Sequence, residues 1–161
     1  MTDKNNLAYL DLKSGRVTIK LRPDLAPQHV ARISALIEKS FYDGLKFHRV
    51  IPGFMAQTGC PDGTGMGGSG QKLKAEFSDA PYVRGTLGMA RSRSPDSGDS
   101  QFFITFGPAP HLDGEYTVWG EVIEGMDHVD KIAHGEPPRE PDTILKFSLS
   151  AQENPQQRKH S

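Results

Sequence analysis

The chain has 161 residues, 35% hydrophobic and 24% charged, and its 19 basic and 20 acidic side chains give a formal net charge of −1. That balance leaves no electrostatic case for a nucleic-acid or membrane partner, and the length suits one domain with a sizeable core. A single cysteine, Cys60, excludes an internal disulfide and cannot by itself build a thiolate metal site. No run approaches the roughly eighteen apolar residues a spanning helix needs. The start, Met1-Thr2-Asp3-Lys4-Asn5-Asn6, lacks the apolar core of a secretory signal, so a cytoplasmic address is expected.

The sequence opens as a predicted hairpin. Leu10 and Leu12 alternate, Lys13-Ser14-Gly15 turns, and Val17, Ile19 and Leu21 alternate again. Pro23 and Pro27 break the second strand. A helix fits Gln28–Lys39, because Val30, Ile33 and Ile37 recur at helical spacing, Leu36 widens the stripe, and Pro27 suits a first turn. Short strands are predicted at 46–51 and 54–58, followed by a glycine-rich loop from Gly59 to Gly70. Further strands fit 86–90, 101–106 and 117–122. A second, shorter helix fits Gly125 to His134, with Val129, Ile132 and Ala133 on one face. Leu145, Phe147 and Leu149 alternate in a last strand. Residues 1–150 read as one domain, and 151–161, polar and aperiodic, as a disordered tail. Many short strands separated by glycine and proline turns imply a mainly β fold of the barrel kind.

Several motifs look functional and read better as structure. Gly63-Thr64-Gly65-Met66-Gly67-Gly68 fits G-x-G-x-x-G, but a dinucleotide site needs an apolar-faced helix after it, and Ser69-Gly70-Gln71-Lys72-Leu73-Lys74 offers none. Ser97-Gly98-Asp99-Ser100 lacks the strained elbow of a nucleophilic serine. The six histidines show no ligand spacing with one another or with Cys60. His48, in a strand between Phe47 and Arg49, reads as a hydrogen-bonded structural histidine, and Cys60 as an unreactive loop thiol open to oxidation if exposed. Trp119 reads as core.

Chemistry concentrates in two segments, Phe47-His48-Arg49-Val50-Ile51-Pro52-Gly53-Phe54-Met55-Ala56-Gln57 and Ser100-Gln101-Phe102-Phe103-Ile104. They combine one arginine, two side-chain amides and large apolar groups, with no carboxylate. That mixture suits holding a neutral, apolar peptide and suits nucleophilic attack or metal binding poorly. Alternation puts Gln101 and Phe103 on one face and leaves Phe102, Ile104 and Phe106 for the core; Met55 and Gln57 likewise share a face.

Phe-His-Arg, Pro-Gly-Phe-Met-x-Gln and Ser-Gln-Phe-Phe-Ile, in that order, resemble the cyclophilins, the peptidyl-prolyl cis/trans isomerases, and the likeness runs from about Leu7 to about Ser150. The resemblance implies a closed eight-stranded antiparallel β-barrel capped by two α-helices. It implies an enzyme that accelerates rotation about X-Pro bonds to assist folding, with no covalent step, cofactor or metal. Arg49 would be the catalytic donor and Gln57 would orient it. Phe54, Met55, Phe103 and Leu112 would hold the proline ring, and Gln101 would grip peptide backbone. Ala90 and Arg91, after Gly88-Met89, would contribute backbone groups. Arg91, His111 and Tyr116 depart from many members, where Asn, Trp and His stand; His111 and Tyr116 lie at the pocket rim. The implied partners are proline-containing peptides and unfolded or flexible segments, with weak binding of cyclosporin A and a monomeric state. A non-catalytic proline-peptide binding module or chaperone is the alternative, and Arg49 discriminates against it, since a mere binder needs no donor at the twisting nitrogen.

Overall fold

Alternation in the opening hairpin builds the first wall of the core. In the computed structural model, which describes residues 6–63 and 67–150, β1 (Leu7–Leu12) pairs antiparallel with β2 (Gly15–Leu21). Ala8, Leu10, Val17, Ile19 and Leu21 all face inward. The expected tail at 151–161 lies outside the described residues, as do Thr64–Met66 of the glycine loop.

Helix α1 (Pro27–Glu38) begins on its proline and buries Val30, Ile33, Leu36 and Ile37, the predicted stripe. Its N-cap residue, Ala26, has no side chain to offer the free N–H groups of the first turn. Glu76 supplies the acceptor from a distant loop: Gln28 N–H donates to it at 3.1 Å and His29 N–H at 2.8 Å. A carboxylate there also meets the positive end of the helix dipole. The His29 ring, 1% exposed, lies with Nδ1 2.6 Å from the same carboxylate. Burial pushes the His29 pKa down by more than Glu76 raises it. Burial raises Glu76 too, but the bonds from the His29 ring and the two backbone N–H groups outweigh it and hold the carboxyl below its ordinary value. A neutral His29 therefore donates Nδ1–H to an ionised Glu76.

The remaining strands are β3 (Arg49–Ile51), β4 (Met55–Thr58), β5 (Thr86–Met89), β6 (Phe102–Thr105), β7 (Val118–Glu124) and β8 (Lys146–Leu149). They form one antiparallel sheet in the order β3-β4-β6-β5-β7-β2-β1-β8. The expected closed barrel is not formed: the sheet is open and curled, with β3 and β8 at its edges and unpaired to each other. Between them run isolated bridges, Lys46 to Thr143 and Val50 to Gly135. The chain facing β3 there carries Pro137, Pro138 and Pro141, which have no N–H to continue a ladder.

The predicted strand at 46–51 accordingly shortens to its last three residues. Helix α2 is also short, Met126–Val129, entered through Gly125 in the left-handed region (φ 89°). Beyond it the chain continues in tighter turns, Lys131 N–H to His128 O and Ile132 N–H to Val129 O, and these still bury Ile132. Leu145 falls just short of β8 and is 57% exposed, while Ile144, Phe147 and Leu149 are buried.

The sheet sorts apolar side chains into two clusters. Trp119, Phe102, Ile104, Leu87, Ala56 and Phe147 join α1 in the main core, with Phe102 edge-on to Trp119 at 5.2 Å between ring centroids. Met55, Tyr82, Phe103, Ala109, Leu112 and Val118 form a second cluster.

The Glu76 cap makes stability sensitive to acid. A carboxyl held below its ordinary 4.5 contributes fully above that pH and loses its contribution as pH falls through the folded value. His29, depressed from 6.5, works in the same direction but starts to act at higher pH. Glu76→Gln is expected to lower the Tm at neutral pH, with the gap to the parent closing as both are acidified through the carboxylate range. Thermal melts across that range check this; a gap independent of pH would show that the ionised carboxylate is not what caps α1.

Candidate active site

Four antiparallel strands bring the site together by register. β3 turns Arg49 outward and Val50 into the core, and Arg49 stands opposite Gln57 of β4. Gln57 in turn stands opposite Phe103 of β6, and Phe103 opposite Gly88 of β5. Phe103 is 4% exposed, with Tyr82 stacked on it at 5.7 Å and Tyr116 edge-on at 5.8 Å. Gly88 is required by this packing, since a Cβ there would collide with the Phe103 ring and the Tyr82 hydroxyl. Tyr82 was not anticipated from the sequence. It is tied down at both ends, its N–H donating to Asp113 Oδ1 at 2.8 Å and its hydroxyl to Tyr116 O at 2.8 Å.

A cavity of about 120 Å³ opens over this floor, a size that admits a pyrrolidine ring. It is lined by Arg49, Phe54, Met55 and Gln57 together with Ala90, Arg91, Phe103, Leu112 and Tyr116. Two expected residues lie outside it. Gln101 lines a larger neighbouring cavity of about 300 Å³, which shares Gln57, Ala90 and Arg91 with the first. His111 stands exposed on the rim, its ring 5.3 Å from that of Phe54. Arg91 builds wall as well as backbone: it donates to Glu115 O at 2.7 and 3.0 Å, and its guanidinium lies 4.4 Å from the Tyr116 ring centroid.

Polar groups of the site form a directed chain. Gly67 O accepts from Gln101 Nε2 at 2.9 Å, and Gln101 Oε1 accepts from Gln57 Nε2 at 2.9 Å. This leaves Gln57 Oε1 facing Arg49 Nη1, at a long 3.5 Å. On the other side, Arg49 Nε donates to Glu136 Oε1 at 3.2 Å. Glu136 carries no signal in the sequence, being 87 residues away. Behind the chain, Gly67 N–H donates to Cys60 Sγ at 3.2 Å, and that thiol lies 2.8 Å from Asp62 Oδ1. Cys60 is buried, so the exposure that would leave it open to oxidation is missing.

Ser100 is structural, its hydroxyl donating to Gly59 O at 2.7 Å inside the protein. Trp119 is fully buried core. His48 is buried beside the site, but the expected hydrogen bonds to its ring are not formed: neither nitrogen meets hydrogen-bond geometry with a described residue. Burial pushes its pKa down, against smaller upward pulls from the Gln101 side chain and Lys46 backbone, so it stays neutral.

The ring-sized cavity is walled by one guanidinium, that of Arg49, and one amide, that of Gln57, with the Gln101 amide in the cavity beside it. Residues 7–149 match the family described as cyclophilin type peptidyl-prolyl cis-trans isomerase/CLD. The chain belongs to that family. A probable peptidyl-prolyl cis-trans isomerase of Brucella suis is 50% identical over 166 residues, covering 92% of this chain and 85% of its own. Peptidyl-prolyl cis-trans isomerase B of Bacillus subtilis is 44% identical, covering 80% of this chain and 91% of its own. Among solved structures, a cyclophilin from Hirschia baltica superposes with a TM-score of 0.88 at 28% identity, covering 96% of this chain and 77% of that one. A cyclophilin-type isomerase of Cryptosporidium parvum, crystallised in the presence of the dipeptide Ala-Pro, gives 0.83 at 29% identity, covering 89% of this chain and 98% of that one. This cyclophilin is accordingly an enzyme, a peptidyl-prolyl cis-trans isomerase.

The opposite facing of two adjacent aromatics gives a direct test. Phe102→Ala opens a hole in the main core and is expected to cost about 3–5 kcal/mol of stability. Phe103→Ala is expected to cost less stability and more activity, mainly as a raised KM. Denaturant unfolding and a proline-isomerisation assay on both variants check this; matching losses in both measurements would show that the two rings do not divide core from site.

Proposed function

We propose that this cyclophilin accelerates X-Pro rotation by gripping the twisted amide, with Arg49 as the donor on which the rate depends. Rotation loses amide resonance, which sets a barrier of ~18–20 kcal/mol. The twisted state has a pyramidal prolyl nitrogen with a free lone pair and a carbonyl out of conjugation. Groups that bind this shape better than either planar state lower the barrier without a bond to the protein. Phe54, Met55, Phe103 and Leu112 would hold the ring, and Gln57 and Gln101 would hold the flanking backbone, since side-chain amides both donate and accept. Arg49 presents several N–H groups in one rigid cationic plane. It would donate toward the prolyl nitrogen and carbonyl as the amide twists, a preorganised electrostatic contribution.

The observation that carries this reading is the placement of the guanidinium at the wall of a ring-sized cavity that Phe54, Met55, Phe103 and Leu112 also line. The Ala-Pro dipeptide present with the Cryptosporidium parvum relative supports proline-bearing peptides as ligands. The neighbouring 300 Å³ cavity would take the side chain of a residue flanking the proline. Lys72 and Arg91 give its lining a cationic character, since they outnumber its one carboxylate, Asp99, which also faces Arg32 Nη1 at 3.9 Å. We extend the reading to a monomer acting on unfolded or flexible chains in the cytoplasm. A single buried cysteine suits a reducing compartment, and the large exposed apolar residues among those described are few: Phe77, Val83, Ile123 and Leu145.

Arg49→Ala is expected to fold normally and to lose most activity, by about 2.7–4 kcal/mol of transition-state stabilisation if one firm donor is removed. Arg49→Lys should lie between, keeping charge without the planar fork. A protease-coupled assay on a short X-Pro peptide reads both, and near-normal activity in folded Arg49→Ala would sink the mechanism. Cyclosporin A should inhibit weakly, because His111 gives the rim a smaller and more polar surface than the Trp of many members. His111→Trp is expected to tighten inhibition at least about tenfold, or ~1.4 kcal/mol, with turnover retained. An unchanged titration would move the determinant to Tyr116 or the 91–97 loop.

A further inference from the structure

We propose that Glu136 is a positioning residue for the catalytic guanidinium, holding Arg49 from the side opposite Gln57. This inference rests on the reading of Arg49 as the catalytic donor. The Arg49 side chain is 45% exposed and long, with much rotamer freedom to lose before it can act as a fixed donor. Gln57, which the sequence suggests as its holder, reaches it at 3.5 Å, at the outer limit of a hydrogen bond. Glu136 Oε1 accepts from Nε at the shorter distance of 3.2 Å, and the pair is charge-assisted.

The carboxylate is itself anchored. Gly135, the residue before it, exchanges both backbone hydrogen bonds with Val50, the residue after Arg49, at 2.8 and 2.9 Å. The two side chains therefore leave the backbone from neighbouring points of one local bridge. Engaging Nε fixes the plane of the guanidinium and leaves Nη donors for the substrate. Glu136 is 57% exposed, so solvent screens its charge, and its effect on Arg49 is orientation more than neutralisation. The open edge of the sheet gives this bridge its place: the segment that fails to become a strand beside β3 is the segment that delivers the carboxylate.

The test compares Glu136→Ala and Glu136→Gln, each in the parent and in Arg49→Lys, by kcat and KM on a short X-Pro peptide together with thermal melts. Glu136→Ala is expected to lower kcat roughly two- to fivefold, the scale of an exposed pair, with KM and Tm nearly unchanged. Glu136→Gln keeps an acceptor for Nε and should restore most of the loss. In Arg49→Lys, which lacks that N–H, Glu136→Ala should have no further effect. Equal losses in Gln and Ala would show that charge and not orientation matters, and an undiminished effect in Arg49→Lys would show that Glu136 does not act through Arg49; either overturns the proposal. Full activity in Glu136→Ala beside an inactive Arg49→Ala overturns this inference alone, whereas an active Arg49→Ala overturns the reading beneath it.

Discussion

The register of β4 against β6 sets Gln57 opposite Phe103 and Ala56 opposite Ile104, and neighbouring side chains on a strand point to opposite faces. One pair of strands thus supplies both the core, through Ala56, Ile104 and Phe102, and the site, through Met55, Gln57 and Phe103. A slip by one residue would turn Phe103 into the main core and Phe102 out to the site, exchanging floor and core together. Burial of Phe102 against Trp119 and Tyr42 opposes that slip, so the stability of the main core is also what holds the site in register.

On that floor the walls are raised by loops, and polar contacts rather than strand pairing keep them in place. Tyr82 links Asp113 to Tyr116, and Arg91 links the 91–97 loop to Glu115. Each of these contacts spans segments separated in sequence, and two of them end on Tyr116 and Arg91, which line the cavity. Such anchoring matters for the mechanism we propose, in which no proton or bond is exchanged and the rate depends on how firmly donors and walls are placed before the amide twists. Gly88 contributes by having no side chain, which lets Tyr82 and Phe103 stack flat beneath the ring site.

The open sheet is part of the same design. Where β3 and β8 fail to meet, prolines interrupt the ladder and the chain between α2 and β8 runs irregularly past β3. Irregular chain can present side chains that a paired strand would direct elsewhere, and Glu136 reaches Arg49 from that segment. At the far end of the polar chain, Cys60 and Gly67 hold the loop that positions Gln101, so Gln57 is steadied from outside the cavity.

Local periodicity in the sequence determined much of this. The hairpin of β1 and β2, the buried stripe of α1, and the division of Phe102 from Phe103 all follow from spacing, because an amphipathic strand or helix has only one way to bury its apolar face. Arg49, Phe54, Met55, Gln57 and Phe103 of the cavity lie in two motifs that stand out in the sequence, and strand register brings those motifs together. What spacing could not show is every contact made between distant segments. Glu76 capping α1 from the far loop, Tyr82 beneath the ring site, Glu136 beside Arg49 and the unclosed edge at β3 depend on where chains 30 to 90 residues apart come to lie, on the order of the whole domain. Those positions are set by packing of the complete core, and no local pattern of residue types encodes which carboxylate will meet which cation.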